Sequence, residues 1–365
     1  MKKMNSRLAC GLLAISLATA GLAGCGKTLD GTQVAATVDG QEVSLGLASY
    51  MTRDYQAQME SFYQMMAQNY GMDSAGDIWG SEAEEGKTIA EASKEDIMKQ
   101  IQTMYAIRNH AEEYGISLTE EETKKIQDTA KAFMEENSKE VLKELAVSQA
   151  DMEEYLELMT YQFKMRDPMV ADVDETLSDE EVNQSTVTFV KVSTMGTEQD
   201  EQGSIIELTE EEKGAKKELA QQVLDQTVAA GAEADMDAIA KEADASLTAM
   251  TQSFTTAGSE EETLDEAIIS AVKNLTDGQV AEEVIEGDNG YYVVRLDAVL
   301  DEEATENKGK AIIEERKNEA YNTLIEKWQA DSELKVVDEV WDQIEITDNK
   351  SFQYVIEEPE NSEAE

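Results

Sequence analysis

Hydrophobic positions recur at three- and four-residue spacing from Leu45 to Tyr70, where Leu47, Tyr50, Met51, Tyr55, Met59, Phe62, Met65 and Met66 trace one side of a helix. Ahead of it, Val34 to Val38 and Gln41 to Val43 read as two brief strands about Asp39-Gly40, a pair that supplies the positive φ a tight turn demands. Residues 73–86 carry Gly76, Trp79, Gly80 and several acids, and read as a loop. A second helix is expected over Ile89–Tyr114, with Ile97, Ile101, Met104, Tyr105 and Ile107 on its buried side. Thr119 and Glu122 have the spacing of a capping box and open a third helix to about Glu136. Shorter helices at Ser138–Ala146 and Ser148–Lys164 follow, and Pro168 then ends the helical pattern in an acidic linker reaching Asn183.

From Thr186 the period changes. Thr186 to Ser193 is a β-rich run without acidic residues, Thr209 and Glu212 cap a helix to about Ala229, and Asp235–Glu242 is a short helix. A strand at Ala249–Thr255, a helix at Leu264–Asn274, a turn at Thr276-Asp277-Gly278 and a strand at Tyr291–Leu296 complete a β-α-α-β-α-β order, which suits helices packed on a small sheet. Residues 308–330 form another amphipathic helix through Ile312, Ile313, Ala320, Leu324, Ile325 and Trp328. Beyond it, Val336, Val337, Val340, Trp341, Ile344 and Ile346 offer apolar groups that can return the chain to the first core. The expected fold class is therefore α+β: a mainly helical first domain over 33–170, a small α+β domain over 184–301, and a C-terminal segment at 308–346 that packs back on the first domain. Residues 357–365 read as an acidic disordered tail.

The start of the chain has a different character. Lys2, Lys3 and Arg7 precede the apolar run Leu8–Ala23, so residues 1–24 read as a signal peptide, too short and too early for an ordinary membrane span. Leu22-Ala23-Gly24-Cys25 ends it, and residues 25–32 form a polar tether. Cys10 and Cys25 are the two cysteines, which excludes a disulfide scaffold, thiol catalysis and cysteine metal sites in the exported body. The chain of 365 residues has a formal charge of −49, and this excludes nucleic acid as a partner because phosphate contacts need concentrated basic charge. An anionic membrane surface would repel such a body.

Leu22-Ala23-Gly24-Cys25 resembles the lipobox of bacterial lipoproteins, which implies cleavage before Cys25 and a diacylglyceryl group on its thiol; two acyl chains suffice for stable anchoring. With the Val38-Asp39-Gly40-Gln41-Glu42-Val43 unit before a helical block and the α+β segment behind it, the chain resembles extracytoplasmic foldases of the PrsA and SurA kind. Its most specific stretch is Gly231 to Leu296, where Gly231, Asp235-Met236, Ile239-Ala240, Ser246, Ala267, Leu275, Gly278, Val284 and Gly290 stand in parvulin-like order. The resemblance implies a SurA-like helical chaperone domain joined to a parvulin-type prolyl isomerase domain, located at the extracytoplasmic face of a bacterial membrane. It also places family histidines near Phe189–Lys191 and at Tyr292, yet the one histidine of this chain is His110, in the first-domain helix. A remaining proline pocket would draw on Phe189, Met250, Phe254, Leu264 and Tyr292.

Three functions stay open on the sequence. One is a lipid-anchored chaperone or foldase for unfolded exported polypeptides, with a weak or inactive isomerase domain. In this reading flexible, polarizable methionines serve as adaptable client contacts, with Tyr63, Met65, Met66, Tyr70 and Met72 the candidates nearest the glycine-containing loop; the alternative is that the methionines only fill helical cores. A second is an active peptidyl-prolyl isomerase, and a third is a solute-binding or surface lipoprotein without catalysis. No cofactor is expected, and no metal: His110 has no second imidazole, and the acidic runs lack the alternating ligand spacing of a calcium loop. The oligomeric state is not readable from the sequence.

Overall fold

The computed structural model describes residues 15–17, 29–70, 78–83, 86–196, 207–258, 263–347 and 352–354. In chain order the first elements are β1 (Ile15–Leu17), β2 (Val34–Val38), β3 (Gln41–Ser44), α1 (Leu45–Tyr70), α2 (Ile89–His110), a 3₁₀ turn at Ala111–Tyr114, α3 (Glu120–Glu136), α4 (Lys139–Leu145) and α5 (Gln149–Met169). Then come α6 (Asp179–Val182), β4 (Gln184–Ser193), α7 (Glu210–Ala230), α8 (Met236–Ala243), β5 (Ala249–Thr255), α9 (Glu266–Val272), β6 (Gln279–Val280), β7 (Ile285–Gly287) and β8 (Gly290–Ala298). The chain closes with α10 (Glu302–Asp331), β9 (Leu334–Val336), α11 (Asp338–Trp341) and β10 (Phe352–Tyr354), the last pairing antiparallel with β1. Two units result: one of Met1–Asp172 with Glu319–Glu365, the other Val173–Asn318.

The first unit is mainly helical. Asp39 and Gly40 both take positive φ, 51° and 78°, so the β2–β3 hairpin turns as the Asp-Gly pair requires. The hairpin is fastened to the helices by Tyr105 and Arg108 of α2: the Tyr105 hydroxyl lies 3.3 Å from the Glu42 carbonyl oxygen while donating to Glu154 Oε1 of α5 at 2.7 Å, and the Arg108 guanidinium donates to Gln41 Oε1 at 2.7 Å. Leu45, Leu47, Ile97, Ile101, Met104, Tyr105, Phe133, Leu145 and Met152 form the centre of one core. The C-terminal segment packs back into this core. β9 pairs with β2, and Trp341, Ile344 and Ile346 are buried with the helices. Buried Arg53 donates to the Glu345 carbonyl at 2.8 Å, and Gln56 donates to the Thr347 carbonyl at 3.0 Å.

Three sequence expectations are corrected here. Helix α5 does not stop before Pro168 but runs through it to Met169, because a proline in the last turn forfeits a single ladder bond where the helix is ending in any case. The stretch read as linker contains α6, whose Ser178 and Glu181 complete a capping box, and α10 begins at Glu302 rather than 308. The acidic residues Asp179, Glu180 and Glu181 of α6 and Glu302 and Glu303 of α10 are first-turn groups, favoured by the positive end of the helix dipole.

The second unit is a small antiparallel sheet of order β5-β4-β8-β6, with β7 also paired to β8. Side chains alternate across each strand, so β4 sends Val190 and Val192 to one face and Val187 and Phe189 to the other. The first face packs under α7 and α8 through Ala220, Val223, Leu224, Met236 and Ala240. The second packs under α9 through Ile268 and Val272. Both faces being covered explains why β4 is buried along nearly its whole length although much of it is polar, and why β8 runs Tyr291-Tyr292-Val293-Val294 without a polar break.

Candidate functional site

Strand register assembles the α9-covered face. Phe189 lies opposite Val294 of β8 and opposite Met250 of β5, while Lys191 lies opposite Tyr292. Phe189, Phe254, Leu264 and Tyr292 gather in one apolar cluster, each no more than 6% exposed. Met250 shares their face of the sheet but sits on the edge strand, 41% exposed.

The rings of Phe189 and Tyr292 meet edge to face with centroids 5.9 Å apart at 65°. Such a contact adds about 0.5–1.5 kcal/mol beyond the area it buries. The Tyr292 hydroxyl hydrogen-bonds Asp265; burial first, and the negative charge of Asp265 next, push the phenol up to about 12, so it stays a neutral donor near pH 7. Asp265 has a second duty, accepting from the Ala267 N–H at 2.9 Å as the N-cap of α9. Lys191 Nζ stands 5.6 Å from the centroid of the Tyr292 ring.

Two glycines permit this packing. A Cβ on Gly287 would fall 2.3 Å from Asp265 Oδ2 and 2.7 Å from Tyr292 Cε2, and one on Gly290 would fall 2.8 Å from the Val192 carbonyl oxygen. The cluster thus fills the space between α9 and the sheet with carbon and leaves one neutral phenol, already committed to Asp265, as its polar group. Asp265 and Gly287 escaped the sequence reading. An Asp placed just before a short helix is a legible cap, whereas nothing in the sequence marks Gly287, whose role depends on β7 approaching Tyr292.

A hollow of 310 Å³ lies elsewhere in this unit, lined by Val228, Gly231, Ala232, Gly278, Gln279, Val280 and Glu282. Gly231 and Gly278 of the parvulin-like order line it, but none of the residues expected in a proline pocket does.

In the first unit the sequence-predicted client contacts divide. Met65 is 51% exposed beside Phe62, 49% exposed, while Tyr63 and Met66 are half-buried. The Tyr70 side chain and Met72 lie outside the described residues, as does Cys25. Most other methionines of the helices are core: Met104, Met152 and Met165 are fully buried, and Met51, Met98 and Met169 nearly so. Phe163 is 67% exposed, an apolar group the sequence reading did not single out. His110 stacks on Trp328 at 4.3 Å and 7°, and its Nδ1 lies 2.9 Å from Glu113 Oε1, so it packs the end of α2 against α10. Among the described residues no group of three or more His, Cys, Asp and Glu side chains is arranged to hold a metal ion, and no helix is long and apolar enough to cross a membrane.

Comparison with known proteins places a family on part of this chain. Residues 198–308 match the model of the PPIC-type PPIASE domain, a stretch that begins beyond β4 and so includes Met250, Phe254, Leu264 and Tyr292 but not Phe189. Among solved structures, the chain is similar at 12% identity to the foldase protein PrsA from Lactococcus lactis, covering 85% of this chain and 96% of that one with a TM-score of 0.33. It is similar at 15% identity to the peptidylprolyl isomerase PrsA from Bacillus anthracis, covering 65% of this chain and 97% of that one with a TM-score of 0.27. It is similar at 16% identity to the foldase protein PrsA from Streptococcus pneumoniae, covering 72% of this chain and 97% of that one with a TM-score of 0.28. No curated protein matches it.

Proposed function

We propose that this chain is an extracytoplasmic foldase that binds unfolded exported polypeptides, is held to a bacterial membrane by lipid on Cys25, and carries an isomerase domain with little or no catalysis. The observation that carries the reading is the buried edge-to-face contact of Phe189 and Tyr292 at the two places where the parvulin resemblance calls for histidines. Prolyl isomerisation must offset a barrier of about 18–20 kcal/mol that comes from lost amide resonance. A site lowers it only through groups that favour the twisted amide over the planar one. Here the aromatic pair is sealed and the Tyr292 phenol is spent on Asp265, so neither is free for a substrate amide. The exposed Phe62 and Met65 at the far part of α1 support client contact in the first unit, since large apolar side chains there meet water unless a partner covers them.

The test is aggregation of a chemically denatured protein diluted into buffer with the full chain. Suppression that weakens in Phe62→Ser/Met65→Ser, with an unchanged thermal melt, is the expected result. No suppression by the unaltered chain removes the chaperone reading and leaves a passive surface lipoprotein.

A further inference from the structure

Strand β5 is one edge of the sheet in the second unit, paired on its other side with β4 over seven consecutive positions without a register shift. Edge strands in folded proteins are normally blunted by charge, proline or a bulge. β5 has none of these: Ala249-Met250-Thr251-Gln252-Ser253-Phe254-Thr255 is uncharged in a chain whose residues are 30% charged.

Hydrogen bonds fix which groups face outward. The Thr256 N–H donates inward to the Asn183 carbonyl just before β4, whereas the Ala249 N–H leaves the sheet to reach Asp237 Oδ1. Because successive residues of a strand present their N–H and C=O to opposite sides, Ala249, Thr251, Ser253 and Thr255 point to the open edge. Asp237 occupies one end of that edge and Gly258, donating to the Thr255 carbonyl, occupies the other. The backbone groups of Thr251 and Ser253 between them have no strand partner among the described residues.

We infer that this edge captures an extended segment of unfolded polypeptide by strand addition, two residues of β5 exchanging backbone hydrogen bonds with it. The inference rests on the foldase reading and names how its second unit would hold a client. Alternate side chains of the added strand would lie beside exposed Met250, on the face that carries Phe189 and Phe254, so an apolar residue suits that position. Charge selects the occupant: a second copy would bring another body of formal charge −49 to the same edge, whereas a neutral or basic segment meets no such repulsion.

The probe is a labelled nine-residue peptide of alternating valine and threonine flanked by lysines, titrated into the full chain and followed by fluorescence anisotropy. Thr251→Pro removes an outward N–H without breaking the ladder to β4, and proline is tolerated on that side of an edge strand. Thr251→Val keeps the N–H and drops only the hydroxyl that meets Thr188 at 2.9 Å. Expected are binding by the unaltered chain and by Thr251→Val, an affinity loss of about tenfold or more in Thr251→Pro, and no binding of the fully N-methylated peptide. Slowed amide exchange confined to residues 249–255 on adding the peptide is expected in the unaltered chain, and it decides the matter if Thr251→Pro does not fold. Equal affinity in a folded Thr251→Pro, protection elsewhere, or a dimer that dissolves in Thr251→Pro overturns the inference. Suppressed aggregation without protection of β5 sinks the edge and spares the foldase; protection without suppression does the reverse.

Discussion

Replacing Gly287 with alanine tests how tightly the α9 face is built. The added Cβ would lie 2.3 Å from Asp265 Oδ2 and 2.7 Å from Tyr292 Cε2, well inside contact distance, and both atoms belong to short or ring side chains with little room to yield. If Asp265 gives way, α9 loses its cap, about 1 kcal/mol, and the buried phenol loses a charged acceptor, about 1.5–3 kcal/mol. Alanine recovers about 0.4–1 kcal/mol by restricting the unfolded chain. The net cost is about 2–3 kcal/mol, or a fall in Tm of roughly 4–12 °C for a unit of this size. Urea unfolding of the full chain by far-UV circular dichroism reads it, and amide exchange should place the loss around β7 and β8. All three tryptophans, Trp79, Trp328 and Trp341, belong to the first unit, so their fluorescence reports that unit separately. On an Asp265→Ala background the nearer obstacle is gone and the Tyr292 ring has the vacated space to shift into, so Gly287→Ala should cost at least about 1 kcal/mol less than in the unaltered chain, a coupling that a double-mutant cycle exposes. Additive costs, or a single-mutant loss under about 0.5 kcal/mol, would refute the crowding argument.

Other outcomes follow from named contacts. Tyr105→Phe strips the bond to Glu154 from a buried phenol and should lower stability of the first unit by about 1–2 kcal/mol, read from the midpoint of the tryptophan transition. Asp237 is held down to about 2 by Lys241, the Thr248 hydroxyl and the Ala249 N–H. Its contribution is therefore present above the ordinary carboxylate range and is lost as pH falls toward 2, a loss that Asp237→Asn should remove from the acid unfolding profile. Tyr292 has the opposite sense: its folded value is raised to about 12, so stability holds below pH 10 and declines as pH climbs through 12, and Asp265→Asn should bring the ultraviolet titration of that phenol down.

Local chemistry was the readable part of the fold. The boxes of Thr119 with Glu122 and Thr209 with Glu212 lie three residues apart in sequence, and both cap the helices they announce. The run Ala249–Thr255 is a strand with the bounds its composition suggests. The short strands β6, β7 and β9 were not readable, because two or three residues carry no period and exist only through pairing with β8 or β2. The methionines show the limit of composition: the same residue type fills the core at Met104 and meets water at Met65, and only helix packing separates the two. The meeting of Phe189 with Tyr292, a hundred residues apart, depends on the register of β4 against β8, and Gly287 has meaning only once that register is known.

The absence of catalysis at the aromatic pair is the central claim, and exchange NMR on a short alanyl-prolyl peptide with the full chain addresses it most directly. Cis/trans exchange no faster than in buffer, at protein concentrations that suppress client aggregation, is the predicted result. Clear acceleration that disappears in Tyr292→Ala would contradict the account and make this chain an isomerase that works without histidines.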